Sequence, residues 1–449
     1  MKKWIAIILG ALLLPGIILL VVNLVEDFNL NKKVSTATEF IEALDDGVVS
    51  IELKADLDFD GIEWKPRKLD AHIIGNDHKI ANVNISVNSG DNVGMFTTAT
   101  NREISDLKLT NITIDYYGSG KNIGGLIGYA EDVDIKNVEI DGEIYASAGN
   151  NVGGLVGYMF DDNNQYNDKL SNLTNRAYVN GGCNVGGIFG YVSGEYNPCC
   201  NNLHNYGEIR AVKGFGGGVI GYFAVKKNAG GRYSTGALTN CSNVGKISGE
   251  TTCGGIVGAV RYVKVESCKN SGEVTVSGDD DLICNAGGIV GVGYYSNIFA
   301  CTNEGNILAE FNYVGGIAGR VESTDNPYSD DIRGCNYSNN KNTGMVKGKN
   351  HIGGVFGVVY GRNIIVTSCE NEGMVEGDYN AGGIVGILTE SKDSEVVYCN
   401  NKGNVTAVKY AAGIIGRATA GNFEEMSSNQ NSGKLSGEVC NDMYNYSED

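Results

Sequence analysis

The residues best able to do chemistry in this sequence are its cysteines, histidines and aspartate clusters, and their spacing decides what each can do. Of twelve cysteines, six (Cys241, Cys268, Cys301, Cys335, Cys369 and Cys399) recur at intervals of 27 to 34 residues. Five of them open a Cys-x-Asn-x-Gly pattern through Asn243, Asn270, Asn303, Asn371 and Asn401, while Cys335 begins a stretched copy ending at Asn342-Thr343-Gly344. In earlier copies leucine takes the cysteine place, at Leu173 and Leu203. Interchange with leucine is the behaviour of a small buried hydrophobe. Thiols stacked one strand apart sit slightly too far apart for a relaxed disulfide, and they diverge along an axis where a metal would need convergence. A column of free core thiols is therefore expected. The disulfide state of Cys183, Cys199 and Cys200 is left open, with a loop bridge to Cys183 as one option. The asparagines share a face with the cysteines and are expected to form an internal ladder that satisfies the turn backbone. An exposed amide row that binds sugars is the alternative.

Catalysis finds little support. His72, His78, His204 and His351 are scattered, and no His-Glu-x-x-His occurs. Aspartates cluster at Asp161/Asp162/Asp168, at Asp279-Asp280-Asp281 and at Asp325/Asp330/Asp331. Each cluster falls in an expected inter-strand loop, where acidic runs are solvated, and none matches a Gly-Gly-x-Gly-x-Asp calcium repeat. Surface calcium binding at Asp161, Asp162, Asp279, Asp280, Asp281, Asp330 or Asp331 is the most the pattern allows. No catalytic residue and no cofactor is assigned.

The elements that position these residues repeat. A pentad such as Gly-Gly-Leu-Ile-Gly (Gly124–Gly128) returns until Ala412-Gly413-Ile414-Ile415-Gly416, after a degenerate copy at Val93–Phe96. The second glycines of the eleven copies stand at 94, 125, 154, 187, 218, 255, 288, 316, 354, 383 and 413, a mean period of about 32 residues. Such a period marks a solenoid whose units bury their apolar faces only against their neighbours. Each unit parses as three short strands: the pentad, the Cys/Asn strand and a following Val/Ile alternation. The expected fold is all-β, a right-handed single-stranded parallel β-helix of about 11 coils. Gly 65 against Pro 4, with 42% hydrophobic residues in periodic positions, excludes collagen and glycine-rich disorder. A formal charge of −18 argues against nucleic-acid partners.

Strand alternation makes a further prediction. The residue before each glycine pair is apolar and the one before that is usually polar, so the register holding the latter should face out. Leu126, Leu155, Ile188, Val219, Ile256, Ile289, Ile317, Val355, Ile384 and Ile414 would then form an exposed aliphatic column. Such a stripe marks an interface and would permit lateral self-association.

Ahead of the repeats, Met1-Lys2-Lys3 precedes an apolar run from Trp4 to Val25, long enough to cross a bilayer and without a small-residue cleavage site. The lysines favour a cytoplasmic N-terminus and export of the remainder. Residues 1–25 read as a transmembrane anchor or uncleaved signal and 26–46 as linker plus capping helix. Residues 47–436 read as the solenoid and 437–449 as an acidic tail. Thr36 and Glu39 fit a capping box opening a helix whose Phe40, Ile41 and Leu44 share a face. If the apolar segment is cleaved, the chain is secreted instead.

Two sets of residues carry a resemblance. Leu53-Lys54-Ala55-Asp56-Leu57-Asp58, Trp64-Lys65-Pro66 and Gly75-Asn76-Asp77-His78-Lys79-Ile80 resemble the opening coils of bacterial surface β-helices. The glycine pentads resemble the GLUG motif, found in tandem on secreted bacterial proteins. The resemblance covers residues from about 48 to 435. It implies a surface-exposed parallel β-helix, and some proteins bearing the motif are immunoglobulin A metallopeptidases, whose zinc motif this sequence lacks. The functional expectation is a membrane-tethered extracellular solenoid serving as adhesin, ligand display or spacer on a bacterial, Gram-positive surface. Its partner would be a surface glycan or a protein of a host or another cell. The alternative is a carbohydrate-binding or polysaccharide-cleaving β-helix.

Overall fold

Parallel strand pairing runs from Asn31 to Tyr446 with a rise of one strand per coil. The computed structural model describes residues 30–162, 169–228, 233–278, 284–323, 334–390, 393–419, 423–439 and 444–446. Among them the chain is an all-β parallel solenoid of about 11 turns. One coil shows the plan. Val156–Phe160 pairs with Ile127–Glu131 below and Phe189–Gly194 above. Leu170–Asn175 lies between Asp134–Gly153 and Cys199–Asn205, and Tyr178–Gly186 closes the turn. The strands that follow each pentad stack into one 13-stranded sheet, and the remaining faces join into a second, larger sheet. The interior is a continuous column of Val, Ile, Leu and Phe, so every coil depends on its neighbours for burial.

The pentad is a corner, and this overturns the exposed aliphatic column. Asp134–Gly153 ends at the first glycine, Gly154 and Leu155 bend, and Val156 starts the next strand. The bend resets the alternation, so Leu155 and Val156 both point inward. Leu126, Leu155, Ile188, Val219, Ile256, Ile289, Ile317, Val355, Ile384 and Ile414 are all at 1% exposure or less. Simple parity fails because it assumes one unbroken strand. Glycine is required for the sharpness of the corner: a Cβ on Gly153 would overlap the Val156 carbonyl, and one on Gly157 would overlap the Asn122–Ile123 peptide of the coil below.

Register also corrects the cysteine column. Lys341 pairs with Thr302 and Glu370, which puts Asn340, not Cys335, in line with Cys301 and Cys369. Cys335 opens the preceding strand, paired with Ile364. Asn340 fits a cysteine place by satisfying its amide: Oδ1 accepts from the Cys301 backbone N–H at 3.1 Å and Nδ2 donates to the Ile298 carbonyl at 2.9 Å. Asn429 repeats this in the coil after Cys399, accepting from the Cys399 N–H at 2.8 Å. No disulfide joins the described cysteines, Cys183, Cys199 and Cys200 included. Cys241, Cys268 and Cys301 each donate to backbone carbonyls, and burial pushes the thiols of Cys241 and Cys301 well up.

At the N-terminal end Asn31–Val34 pairs with Ser50–Leu53, so part of the segment read as linker is already a strand. The intervening helix, Ala37–Asp45, begins at Thr36, whose side chain accepts from the Glu39 N–H, while Glu39 accepts from Ser35 N at 2.7 Å. Its Phe40 is buried against Phe59 and Trp64 at ring distances of 6.2 and 6.4 Å. At the other end Leu435–Val439 runs across residue 437 and Tyr444–Tyr446 lies beyond it, both still pairing with the solenoid, so pairing reaches into the segment read as an acidic tail. Among the described residues no helix is long and apolar enough to cross a membrane. The run from Trp4 to Val25 lies outside them.

Candidate binding groove

The residues of the Cys-x-Asn-x-Gly pattern are brought together inside the coil. Asn175, Asn205, Asn243, Asn270, Asn303, Asn342, Asn371, Asn401 and Asn431 stack with each Nδ2 donating to the next Oδ1 at 2.6–2.8 Å. The same nitrogens donate to the carbonyl two residues on, as Asn270 does to Gly272 at 2.8 Å. Both amide protons are thus used within the chain, and Asn175 through Asn401 are at 1% exposure or less. This row offers nothing to a ligand.

The aspartate candidates separate. Asp279, Asp280, Asp281, Asp330 and Asp331 lie outside the described residues, as do Asp168 and Asp325. Asp161 is nearly buried and lies 3.9 Å from Lys169, whose Nζ is also 3.8 Å from Asp134. That carboxylate is taken up by a cation of its own chain. Asp162 lies one residue on, its backbone N–H donating to Asp132 at 2.8 Å. Among the described residues no group of three or more His, Cys, Asp or Glu could hold a metal ion. The histidines are also dispersed: His351, for instance, stacks on Tyr313 with its ring 5.5 Å away.

A site that strand parity missed lies at the pentad corners of the N-terminal coils. Asn122, Asn151 and Asn184, each two residues before a pentad, and Asn92, level with Asn122 by strand register, form a second amide row, each with positive φ between 49° and 65°. Asparagine tolerates this left-handed conformation better than most residues, so it can end a strand there. The amides link in sequence: Asn122 to Asn92 at 2.7 Å, Asn151 to Asn122 at 2.8 Å and Asn184 to Asn151 at 2.8 Å. Each middle amide spends one N–H and one lone pair on its neighbours and keeps one of each.

Directly after the pentad stand Tyr129, Tyr158, Tyr191 and Tyr222, paired coil to coil on the outer face of the 13-stranded sheet. Their ring centroids repeat at 5.3, 4.7 and 5.1 Å, the last three rings nearly parallel at 17° and 8° and Tyr129 turned by 75°. Because Gly128, Gly157, Gly190 and Gly221 lack side chains, the tyrosine row stands close beside the asparagine row. An open groove of about 530 Å³ runs between them, with Asp91 and Lys121 at one end. The Tyr158 hydroxyl is within 2.8 Å of Ser193 Oγ and accepts from Lys226 Nζ at 3.2 Å. Burial raises the Tyr129 phenol to about 12, assisted by the charge of Glu131, and pushes Tyr191 and Tyr222 up as well. These phenols therefore stay protonated donors at physiological pH. The signal was in the sequence as Asn-x-Gly-Gly-x-x-Gly-Tyr at 122–129, 151–158 and 184–191.

Both rows end together. After Asn184 the pre-pentad column continues with Phe215 and Thr252, and after Tyr222 the post-pentad column continues with Ala259 and Val292. The groove thus belongs to a few consecutive coils of the solenoid.

No family model matches the sequence, and no curated protein matches it. Among solved structures, the chain is similar to a candidate immunoglobulin A1 protease from Bacteroides ovatus. The two share 15% identity over 92% of this chain and 84% of the other, with a TM-score of 0.22. A likeness at that level carries no argument about function.

Proposed function

We propose that this chain is an exported, membrane-tethered bacterial β-solenoid that binds and displays at the cell surface, an adhesin or spacer of the GLUG-motif type. The observation that carries this reading is the groove of Asn92–Asn184 amides and Tyr129–Tyr222 phenols, a set of groups that can bind but that are neutral and repetitive. The apolar run from Trp4 to Val25 behind two lysines supplies the tether, and the glycine pentads supply the resemblance. The polysaccharide-cleaving alternative needs two carboxylates flanking the scissile bond. Asp91 is the single carboxylate among the groove-lining residues, and its Oδ1 accepts from the Lys121 backbone N–H at 2.9 Å.

Intact cells producing the full chain test the reading. External protease should remove the solenoid, and antibody should label it before lysis. Protection of the chain until lysis would overturn surface display. Release of reducing ends from glycans by the purified chain would overturn a purely binding role.

A further inference from the structure

We infer that the groove between the Asn92–Asn184 and Tyr129–Tyr222 rows binds a neutral glycan chain lying along the solenoid axis. The inference rests on reading the solenoid as a binding element and names the ligand class of that same groove.

Three features of the groove select this chemistry. The first is the kind of group on offer. Spare amide N–H and C=O groups line one wall and tyrosine rings the other, so the groove presents uncharged donors and acceptors beside an aromatic surface. Polyhydroxylated rings, each hydroxyl both donor and acceptor, are the ligand such walls match. The second is charge. Asp91 and Lys121 offset one another at the groove end, Lys226 on Tyr158 is offset by Glu131 beside Tyr129, and the chain as a whole is at −18, which disfavours a polyanion. The third is periodicity. Both walls advance by one coil per step, with ring centroids at 4.7–5.3 Å, about the advance of one residue in an extended pyranose polymer. A polymer with that repeat can make the same contacts at each coil.

The rings divide the work. Tyr158, Tyr191 and Tyr222 give their faces to each other and their edges to the groove, while the Tyr158 hydroxyl is held by Ser193 and Lys226. Tyr129 ends the row, turned by 75° with Thr98 as its next neighbour, so its ring is the one free to pack on an apolar sugar face. Preorganisation favours binding: the amides are held by each other and the phenols by stacking, so little side-chain freedom is lost when a ligand arrives.

The test is affinity gel electrophoresis of the full-length chain in mild detergent, with hydroxyethyl cellulose, laminarin or yeast mannan in the gel. Polygalacturonate serves as the acidic comparison. At least one neutral glycan should retard the protein. Asn151→Gly, which keeps the left-handed backbone but removes one amide, should weaken retardation about tenfold. Tyr158→Ala combined with Tyr191→Ala should abolish it, whereas Tyr398→Ala, an exposed tyrosine in a distant coil, should leave it unchanged. If the double variant fails to fold by circular dichroism, Tyr129→Ala decides: it removes only the end ring that can pack on a sugar, and should weaken binding several-fold. Indifference to all neutral glycans would overturn the inference, as would retardation by polygalacturonate alone or wild-type behaviour of Asn151→Gly and Tyr129→Ala. The gel assay reads the groove independently of surface display, so failure of either reading leaves the other measurable.

Discussion

Two rows of asparagine run along this solenoid at the same pitch, one inside and one at the rim of a groove, and they behave oppositely. In the inner row each Nδ2 donates forward to the next coil and also to a turn carbonyl, as with Asn303 to Asn342 and to Gly305 at 2.8 Å each. In the outer row the Nδ2 of Asn122, Asn151 and Asn184 donates backward to the previous coil, and the second proton is spare. The difference lies in the backbone. Inner asparagines lie within extended strands and point at a buried turn, where any unpaired polar group is costly. Outer asparagines occupy left-handed corners beside solvent, where water can replace a lost partner. One row builds the core, and the other is available for recognition.

The strongest way to break this contrast is Asn270→Ala in the inner row. It removes the donor to Gly272 and Asn303 and the acceptor for Asn243, all in a site closed to water. We expect a loss of about 3 kcal/mol in urea unfolding, the scale for stranding buried polar partners. A loss equal to that of the outer variant would erase the distinction.

A smaller effect should come from acid acting on the outer column where it is no longer asparagine. His351 follows Tyr313 in that column and its Nδ1 lies 3.1 Å from Asn380 Nδ2. Burial, with Arg417 nearby, lowers its pKa from 6.5 to about 4. Because the folded state holds the proton more weakly than the unfolded state, this neutral histidine's stability contribution is complete above about pH 6.5. It is lost as pH falls toward 4, by on the order of 2 kcal/mol. His351→Asn, which suits the positive φ of 58°, should flatten stability over that window in thermal scans at stepped pH. An unchanged pH profile would count against the assignment.

Asn151→Gly should cost least in stability, about 0.5–1 kcal/mol, because two half-exposed hydrogen bonds go while the backbone conformation is retained. It sharpens the comparison by affecting ligand retention more than folding.

The cysteines offer a contrast that needs no variant. Alkylation of the native protein, read by mass spectrometry, should modify the partly exposed Cys183 and Cys199 before Cys241, Cys268, Cys301, Cys369 and Cys399. Burial both hinders access and keeps thiols such as Cys241 and Cys369 protonated. Rapid labelling of the column in folded protein would contradict the packing described.

Much of this molecule follows from the order of residues alone. The period of the glycine pentads dictates stacked coils, since each unit lacks a partner for its apolar face except the next unit. Exchange of Leu173 and Leu203 for cysteine in later copies marks a buried place, and Thr36 with Glu39 marks a helix start. These are local or periodic signals, and periodicity survives any folding of the chain. Side-chain direction through a corner is different, because it depends on where the backbone bends. Leu155 and Val156 are neighbours that strand alternation sends to opposite sides, and only the bend at Gly154 turns both inward. The same bend places Tyr158 beside Asn122 of the preceding coil, a pairing that no spacing within one repeat could state. Nor could spacing tell that Asn340, not Cys335, continues the thiol column, because a longer loop shifts the count while hydrogen-bond register holds the position. Sequence therefore determined the coil and its core, whereas the groove was decided by tertiary structure, because it forms only where glycine lets one coil's corner press against the next.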